Sequence, residues 1–319
     1  MHQLSGRWKL GFSLAVLTAA SWGLLPIALT ITLEAVDAFT LTWFRFLTAA
    51  LGLGAILAWM GRLPRLGSID RRGWLVLLIA LAALTGNFVL YLVALLYTSP
   101  TINQVVTQLS PLLLMLGGIV VFHERFSARQ WAGFVLLLVG LPLFFNRRLP
   151  ELTHLSSGLG HGVALLVLAS AVWAVYGLAQ KTLLRRLQSQ QVLVLLYAGA
   201  AIVLLPLSQP SHLLKVNLLQ ACTLAFSCAN TVVAYGAFAE ALRHWEASRV
   251  GATLTLTPLF TMLAMWALEH WAPQVVRPEQ LNALSVAGAL VVVGGSMLCA
   301  LGNARAAAAS ARAVETPSS

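Results

Sequence analysis

The sequence has very little charge. Only 9% of its 319 residues are Asp, Glu, Lys or Arg, and 59% are hydrophobic, whereas a soluble domain usually carries about 25% charged residues and roughly 45–50% apolar ones. A chain this poor in charge cannot cover a globular surface with polar groups. The composition therefore excludes an ordinary soluble enzyme. Together with the mean hydropathy of +0.84, it predicts a multi-span membrane protein.

Sequence motifs for enzymatic chemistry are missing as well. The three cysteines, Cys222, Cys228 and Cys299, form no CxxC pair and indicate neither a metal site nor a disulfide framework. The sequence contains no GxxxxGK(S/T) phosphate loop, no HExxH and no GxSxG. We therefore expect no enzyme activity, no metal and no cofactor.

What the sequence has instead is a series of ten apolar stretches separated by short loops. They cover residues 9–32, 38–60, 74–97, 101–122, 128–145, 158–181, 190–207, 215–241, 247–268 and 280–301. Most are long enough to cross the membrane as helices, since about 20 residues span the hydrocarbon layer. Barrel strands would alternate in polarity and end after about ten residues. The predicted fold is an all-α integral membrane protein with ten transmembrane helices.

The distribution of Lys and Arg predicts the orientation of these helices, because cytoplasmic loops carry an excess of both. Of the 20 Lys and Arg residues, four fall in outside segments when the N-terminus is placed inside: Arg147, Arg148, Lys215 and Arg277. Arg45 lies within the second span, and the remaining 15 lie inside. Both termini are therefore predicted to be cytoplasmic, with residues 303–319 as a disordered tail. The asymmetry also explains the net charge of +10 without any nucleic acid partner.

Three segments of the first half recur in the second half in the same order. The matched segments are SWGLLP (21–26) with VWAVYG (172–177), GNFVLY (86–91) with ANTVVAY (229–235), and QLSPLLLML (108–116) with TLTPLFTML (255–263). Chance similarity between apolar helices is the competing explanation. Each half has five helices, an odd number, so the second half would cross the membrane upside down. We predict two inverted repeats, residues 1–150 and 151–302, around a central cavity.

The ten spans, the SWG of span 1, the x-P-L turn in spans 4 and 9, and Glu124 and Glu269 at the ends of those spans resemble the EamA transporters of the drug/metabolite transporter superfamily. The resemblance covers residues 9–301. It implies a carrier of the bacterial inner membrane that exports small metabolites through a cavity between its halves. Bacterial aromatic amino acid exporters are similar members. The superfamily also contains sugar-phosphate and nucleotide-sugar carriers, so the resemblance does not fix the substrate.

Polar side chains inside spans are functional hypotheses by default, because they are costly in hydrocarbon. Asn87 and Asn230 are near mid-span at matching repeat positions, where an amide could bind a substrate or simply bond a neighbouring helix. Gln104 and Gln108 lie one turn apart on span 4. Arg45 is predicted to bind a carboxylate near the outer mouth; the alternatives are that it snorkels outward or pairs with Glu34 or Asp37.

Five aromatic rings lie at a similar depth and predict an aromatic cavity that can stack on a planar substrate. They are Trp22, Tyr91, Trp173, Tyr176 and Tyr235, with core packing as the alternative for each. Pro111 and Pro258 are predicted hinges, because a proline in mid-span removes a helical hydrogen bond. Glu240 is the one reasonable proton-coupling residue, although pairing with Arg243 also explains it.

The central candidates are neutral amides and rings with a single Arg, which fits a zwitterion better than a phosphorylated compound. We expect a monomeric secondary carrier that exports amino acids, aromatic and apolar ones included, and whose partners are the small-molecule substrate and the lipid bilayer. The alternatives are a carrier of another class, such as a nucleotide sugar or an organic cation, a channel, or an intramembrane enzyme.

Overall fold

The computed structural model describes residues 7–64, 66–123, 127–154, 157–184, 187–279 and 281–315. Within these ranges the secondary structure is helical, with no strand. The α-helices are α1 Trp8–Leu33, α2 Ala38–Trp59, α3 Arg71–Leu95, α4 Pro100–Val106, α5 Leu109–Phe122, α6 Ala128–Phe144, α7 Leu149–Thr153, α8 Gly158–Leu183, α9 Ser189–Leu204, α10 Leu218–His244, α11 Ala247–Leu254, α12 Thr257–Trp271 and α13 Ala283–Glu315. The predicted all-α class is confirmed.

Nine helical spans in the described part of the chain are long and apolar enough to cross a membrane, with α4 and α5 counted as one span and α11 and α12 as another; the sequence predicted ten. The remaining stretch is α6, which has 17 residues and is therefore only about 25 Å long. The count of ten stays a prediction. Helix α13 continues into the predicted tail as far as Glu315, residues 316–319 lie outside the described residues, and the predicted disorder of the tail stays a prediction.

Several helices begin after a loop side chain that accepts hydrogen bonds from the free N–H groups of the first turn. These capping residues are Asp37, Asp70, Ser99, Ser127, Ser157 and Asn217. The predicted and observed starts of these helices agree to within about three residues.

Spans 4 and 9 differ from the prediction, because each consists of two helices. The first break separates α4 from α5 at Thr107 and Gln108, and the second separates α11 from α12 at Thr255 and Leu256. Pro111 and Pro258 lie in the first turns of α5 and α12, where a backbone N–H has no partner within the helix anyway. The prolines therefore follow the breaks, and their role as hinges stays a prediction.

The two halves of the chain pack extensively against each other. Helix α1 packs on α10 and α12, while α3 and α5 pack on α8; α2 lies against α9 and α6 against α13. If each helix is replaced by its counterpart in the other half of the predicted repeat, every one of these pairs becomes either another pair of the set or the same pair again. This pattern of contacts places both broken helices between the halves.

Large apolar side chains also cover the outside of the bundle. Leu51 and Val233 are 64% and 62% exposed near the middles of α2 and α10, and Ile202 is 72% exposed in the last turn of α9. Water would disfavour such a surface, whereas lipid tails are as apolar as these side chains. The bundle therefore suits a membrane and not a cytosolic setting.

Candidate functional site

A cavity of about 1130 Å³ lies between the two halves. Its wall includes ten residues that the sequence singled out: Trp22, Arg45, Asn87, Tyr91, Gln104, Gln108, Pro111, Trp173, Asn230 and Tyr235. They come from α1, α2, α3, α4, α5, α8 and α10 and from the break between α4 and α5. The fold thus brings together residues that lie up to 213 positions apart.

Two of the predicted site residues do not line this cavity. Tyr176 is 6% exposed and packs in an apolar cluster with Leu183, Leu196 and Tyr197, although Trp173, three residues earlier on the same helix, reaches the cavity wall. Pro258 is buried in the first turn of α12, while its neighbour Thr257 lines the cavity.

Both helix breaks contribute to the cavity wall. Thr107 and Gln108 line it at the first break, and Leu254 and Thr255 line it at the second. The threonine hydroxyls donate to backbone carbonyls one turn earlier: Thr107 Oγ1 to Asn103 at 2.7 Å and Thr255 Oγ1 to Ala252 at 2.7 Å. The two breaks are therefore stabilised in similar ways.

The two paired amides bond neighbouring helices. Asn87 Nδ2 donates to the carbonyl of Ala169 at 2.9 Å, linking α3 to α8, and Asn230 Nδ2 donates to the carbonyl of Ser21 at 2.8 Å, linking α10 to α1. The Asn230 amide nitrogen is used in this bond, whereas its Oδ1 is buried without a hydrogen-bond partner among the described residues. Asn230 is therefore a structural link with one unused acceptor.

The aromatic side of the cavity centres on Trp22. Its ring centroid lies 5.3 Å from that of Tyr235 and 6.0 Å from that of Phe238. The Trp22 carbonyl accepts a hydrogen bond from Gln104 Nε2 at 2.8 Å, which joins α4 to α1. Part of the predicted aromatic cavity is therefore present as one connected group of rings.

Arg45 is deeper than the sequence suggested, with only 4% of its surface exposed. Its Nη2 donates to Thr231 Oγ1 at 3.3 Å, and its guanidinium carbon lies 5.1 Å from the centre of the Phe88 ring. It does not pair with Asp37, whose carboxylate contacts Thr40 and His212 instead. Snorkelling and pairing with Asp37 therefore do not describe Arg45.

Sequence reasoning missed several residues of the wall. Phe88 and Thr231 each follow a predicted asparagine, so a search around the paired amides could have found them. Trp245 and Glu246 form the rim where the cavity reaches the end of the bundle that carries the N-terminus. Both stand in a short loop with no motif to mark them.

The carboxylates near the helix ends take part in local contacts. Glu240 accepts from Arg243 at 2.9 Å and lies 3.0 Å from His244, so the ion-pair alternative describes it. Glu124 lies outside the described residues. Glu269 Oε1 accepts from the backbone N–H of Glu279 at 2.6 Å, which agrees with a structural role.

Glu279 joins the two halves at the opposite end from the cavity rim. Its Oε1 accepts a hydrogen bond from the backbone N–H of Thr101 at 3.0 Å, in the first turn of α4. Burial raises the pKa of Glu279 above its ordinary value, and the nearby Glu269 acts in the same direction. Sequence reasoning missed this residue, because no periodic pattern distinguishes it within its loop.

The EamA-like transporter family matches the chain twice, over residues 9–146 and 160–301. The chain is 43% identical to the "uncharacterized inner membrane transporter YhbE" of Escherichia coli (strain K12) over 95% of this chain and 94% of that protein. It is 38% identical to an "uncharacterized transporter" of Haemophilus influenzae, over 92% of this chain and 95% of that one. These matches agree with the family resemblance seen in the sequence.

Two more distant similarities extend the comparison. A "probable amino-acid metabolite efflux pump" of Salmonella typhimurium is 25% identical, over 90% of this chain and 93% of that protein. A solved crystal structure aligns with a TM-score of 0.60 at 21% identity, over 93% of this chain and 96% of that chain. At that identity the likeness shows the fold alone.

Proposed function

The chain belongs to the EamA-like transporter family and is a membrane transporter, and from this premise we propose that it is a secondary carrier that exports amino acids. Aromatic and apolar amino acids are among the proposed substrates. Transport would proceed by alternating access, with the two halves acting as inverted repeats and rocking about the cavity between them.

The observation that carries this proposal is the pair of helix breaks at corresponding positions in the two halves. The break at Thr107–Gln108 and the break at Thr255–Leu256 both border the cavity. Interrupted helices at corresponding positions in the two halves are the best pointer to a carrier's substrate site, because irregular backbone is tolerated at membrane depth where it lines a cavity.

The two ends of the cavity support a carrier that is open to one side at a time. The rim at Trp245 and Glu246 would face the cytoplasm in the predicted orientation. Towards the other end, Leu29 lines the cavity and packs with Leu41 and Leu92 in a fully buried apolar cluster. A substrate could then enter from the cytoplasm, and the cluster would have to part for it to leave.

The cavity wall favours a zwitterion over a phosphorylated substrate. The described residues of the wall offer neutral amides, aromatic rings and one buried cation, Arg45, whereas two phosphate charges would call for further Arg or Lys at this depth. The Salmonella relative is named as a probable amino-acid metabolite efflux pump, which supports the same substrate class.

The test is counterflow in proteoliposomes that contain the purified full-length chain. We expect saturable exchange of radiolabelled phenylalanine or tryptophan and none of a sugar phosphate. Empty liposomes give the background. Exchange of the sugar phosphate without any amino acid would refute the amino acid assignment, and flux that never saturates would identify a channel.

A further inference from the structure

Resting on the proposed function, we propose that Arg45 and Asn230 divide substrate recognition between them: Arg45 binds the carboxylate, and Asn230 Oδ1 accepts from the amino group. The carboxylate is then the required feature of the substrate, and the amino group adds to affinity. The substrate class becomes amphiphilic monocarboxylates, with amino acids as the preferred members and organic cations excluded.

The first reason is that Arg45 is a buried charge without a counter-ion. No carboxylate among the described residues forms an ion pair with it, and its Nε–H has no hydrogen-bond partner there. Buried charges in proteins are normally paired, because an isolated charge is costly in a medium of low dielectric constant. A substrate carboxylate would supply the missing charge and acceptor.

The second reason is that the guanidinium is already positioned. Thr231 Oγ1 donates to the carbonyl of Ser227 at 2.9 Å, so its remaining lone pair is directed to Arg45 Nη2. The Phe88 ring supports the same guanidinium from its side. An arginine has five N–H donors, so these contacts leave others for a ligand.

The third reason is the unused acceptor of Asn230. Asn230 is 4% exposed, and its amide nitrogen donates to the carbonyl of Ser21. Its Oδ1 has no hydrogen-bond partner in the described part of the chain. Asn230 directly precedes Thr231, and both line the same cavity as Arg45. A neutral acceptor on the same cavity wall as a cation suits an ammonium group that is covalently attached to a carboxylate.

The ranking of substrate analogues tests this division. In phenylalanine counterflow, we expect 3-phenylpropionate, which lacks the ammonium group, to compete about 10- to 100-fold less well than phenylalanine, as for one hydrogen bond from a charged donor. We expect 2-phenylethylamine, which lacks the carboxylate, not to compete. Equal competition by 2-phenylethylamine would overturn the proposal.

Variants identify the residues involved. Arg45→Gln should weaken binding of both acids about 10- to 100-fold, measured as the ligand-induced shift in melting temperature of the purified chain. Asn230→Ala should remove the difference between phenylalanine and 3-phenylpropionate while keeping the requirement for a carboxylate. The control is Arg243→Gln, on the exposed end of α10, which should bind like the parent chain.

The outcomes separate this inference from the proposed function. If 3-phenylpropionate binds the parent chain and not Arg45→Gln, but phenylalanine is not exchanged, the amino acid function fails and the role of Arg45 stands. If phenylalanine is exchanged and Arg45→Gln binds it as the parent does, the proposed function stands and the inference fails. Arg45→Lys serves as a second variant if Arg45→Gln does not fold.

Discussion

Two adjacent glycines on α13 offer a matched test of how tightly the halves are packed. A β-carbon built on Gly295 would lie 2.6 Å from the carbonyl oxygen of Gly133 and 2.7 Å from the nitrogen of Leu137, where ordinary van der Waals contact begins at 3.4 Å. Both atoms are backbone atoms of α6, so no side-chain rotation can relieve the clash. At Gly294, nothing lies within 4 Å.

Gly295→Ala should therefore be less stable than Gly294→Ala. Both variants gain the same helix propensity, about 1 kcal/mol for Ala over Gly, so this contribution cancels in the comparison. The cost of overpacking remains, which is about 1–3 kcal/mol when extra atoms enter a well-packed interface. The free energy of unfolding should differ between the two variants by that amount.

The measurement is unfolding of the detergent-solubilised chain with increasing SDS, followed by the fluorescence of its ten tryptophans. Gly294→Ala, the control, should be as stable as the parent or slightly more so. Equal stability of the two variants would mean that α6 and α13 do not approach as closely as described, and the reasoning would be refuted.

Three further predictions concern topology, the paired amides and pH. Reporter fusions at Arg65 and Ser189 should read cytoplasmic and one at Glu151 periplasmic; a periplasmic signal from a fusion at Ser319 would contradict the ten-helix topology. Asn87→Leu and Asn230→Leu should each strongly reduce phenylalanine counterflow yet keep expression, because an interhelical hydrogen bond in a membrane contributes only about 0.6 kcal/mol on average; normal transport by both variants would exclude the paired-amide site. Glu279→Gln should raise the melting temperature at neutral pH, because the amide oxygen can still accept from Thr101 without a buried charge. Burial raises the pKa of Glu279 in the folded chain above the ordinary value of 4.5. Folding is therefore favoured by the protonated carboxyl: this contribution to stability is complete below about pH 4.5 and is lost as the pH rises through the raised pKa. The advantage of Glu279→Gln should thus shrink towards acid pH, with Glu34→Gln, on an exposed loop, as the control; a constant advantage at every pH would refute the buried-charge argument.

The fold class and the span positions could be predicted because apolar length is a strong signal. The second span was predicted at 38–60 and observed as α2, Ala38–Trp59, and the sixth at 158–181 and observed as α8, Gly158–Leu183. The helix breaks could not be predicted. A proline within an apolar stretch is compatible with a kink or with the first turn of a new helix, and only the neighbouring helices decide between the two.

The site was predicted less completely, because the side of a membrane helix that faces the protein is as apolar as the side that faces lipid. Trp173 and Tyr176 show the consequence. They lie three residues apart on α8, yet one lines the cavity and the other packs in the core. Residue type and depth are readable from the sequence, whereas the rotation of the helix about its axis is not.

Arg45 marks a difference between two helices, α2 and α9, that correspond in the predicted repeat. Helix α2 packs against α9, its counterpart in the predicted repeat, and α9 carries no charged residue along Ser189–Leu204. The same packing is therefore achieved on one side with uncharged residues alone. Since the interface does not need a charge, the buried cation of α2 is a cost to the fold, and a ligand that pairs with it gives a reason for its presence. The asymmetry between the halves, more than their similarity, points to what the transporter binds.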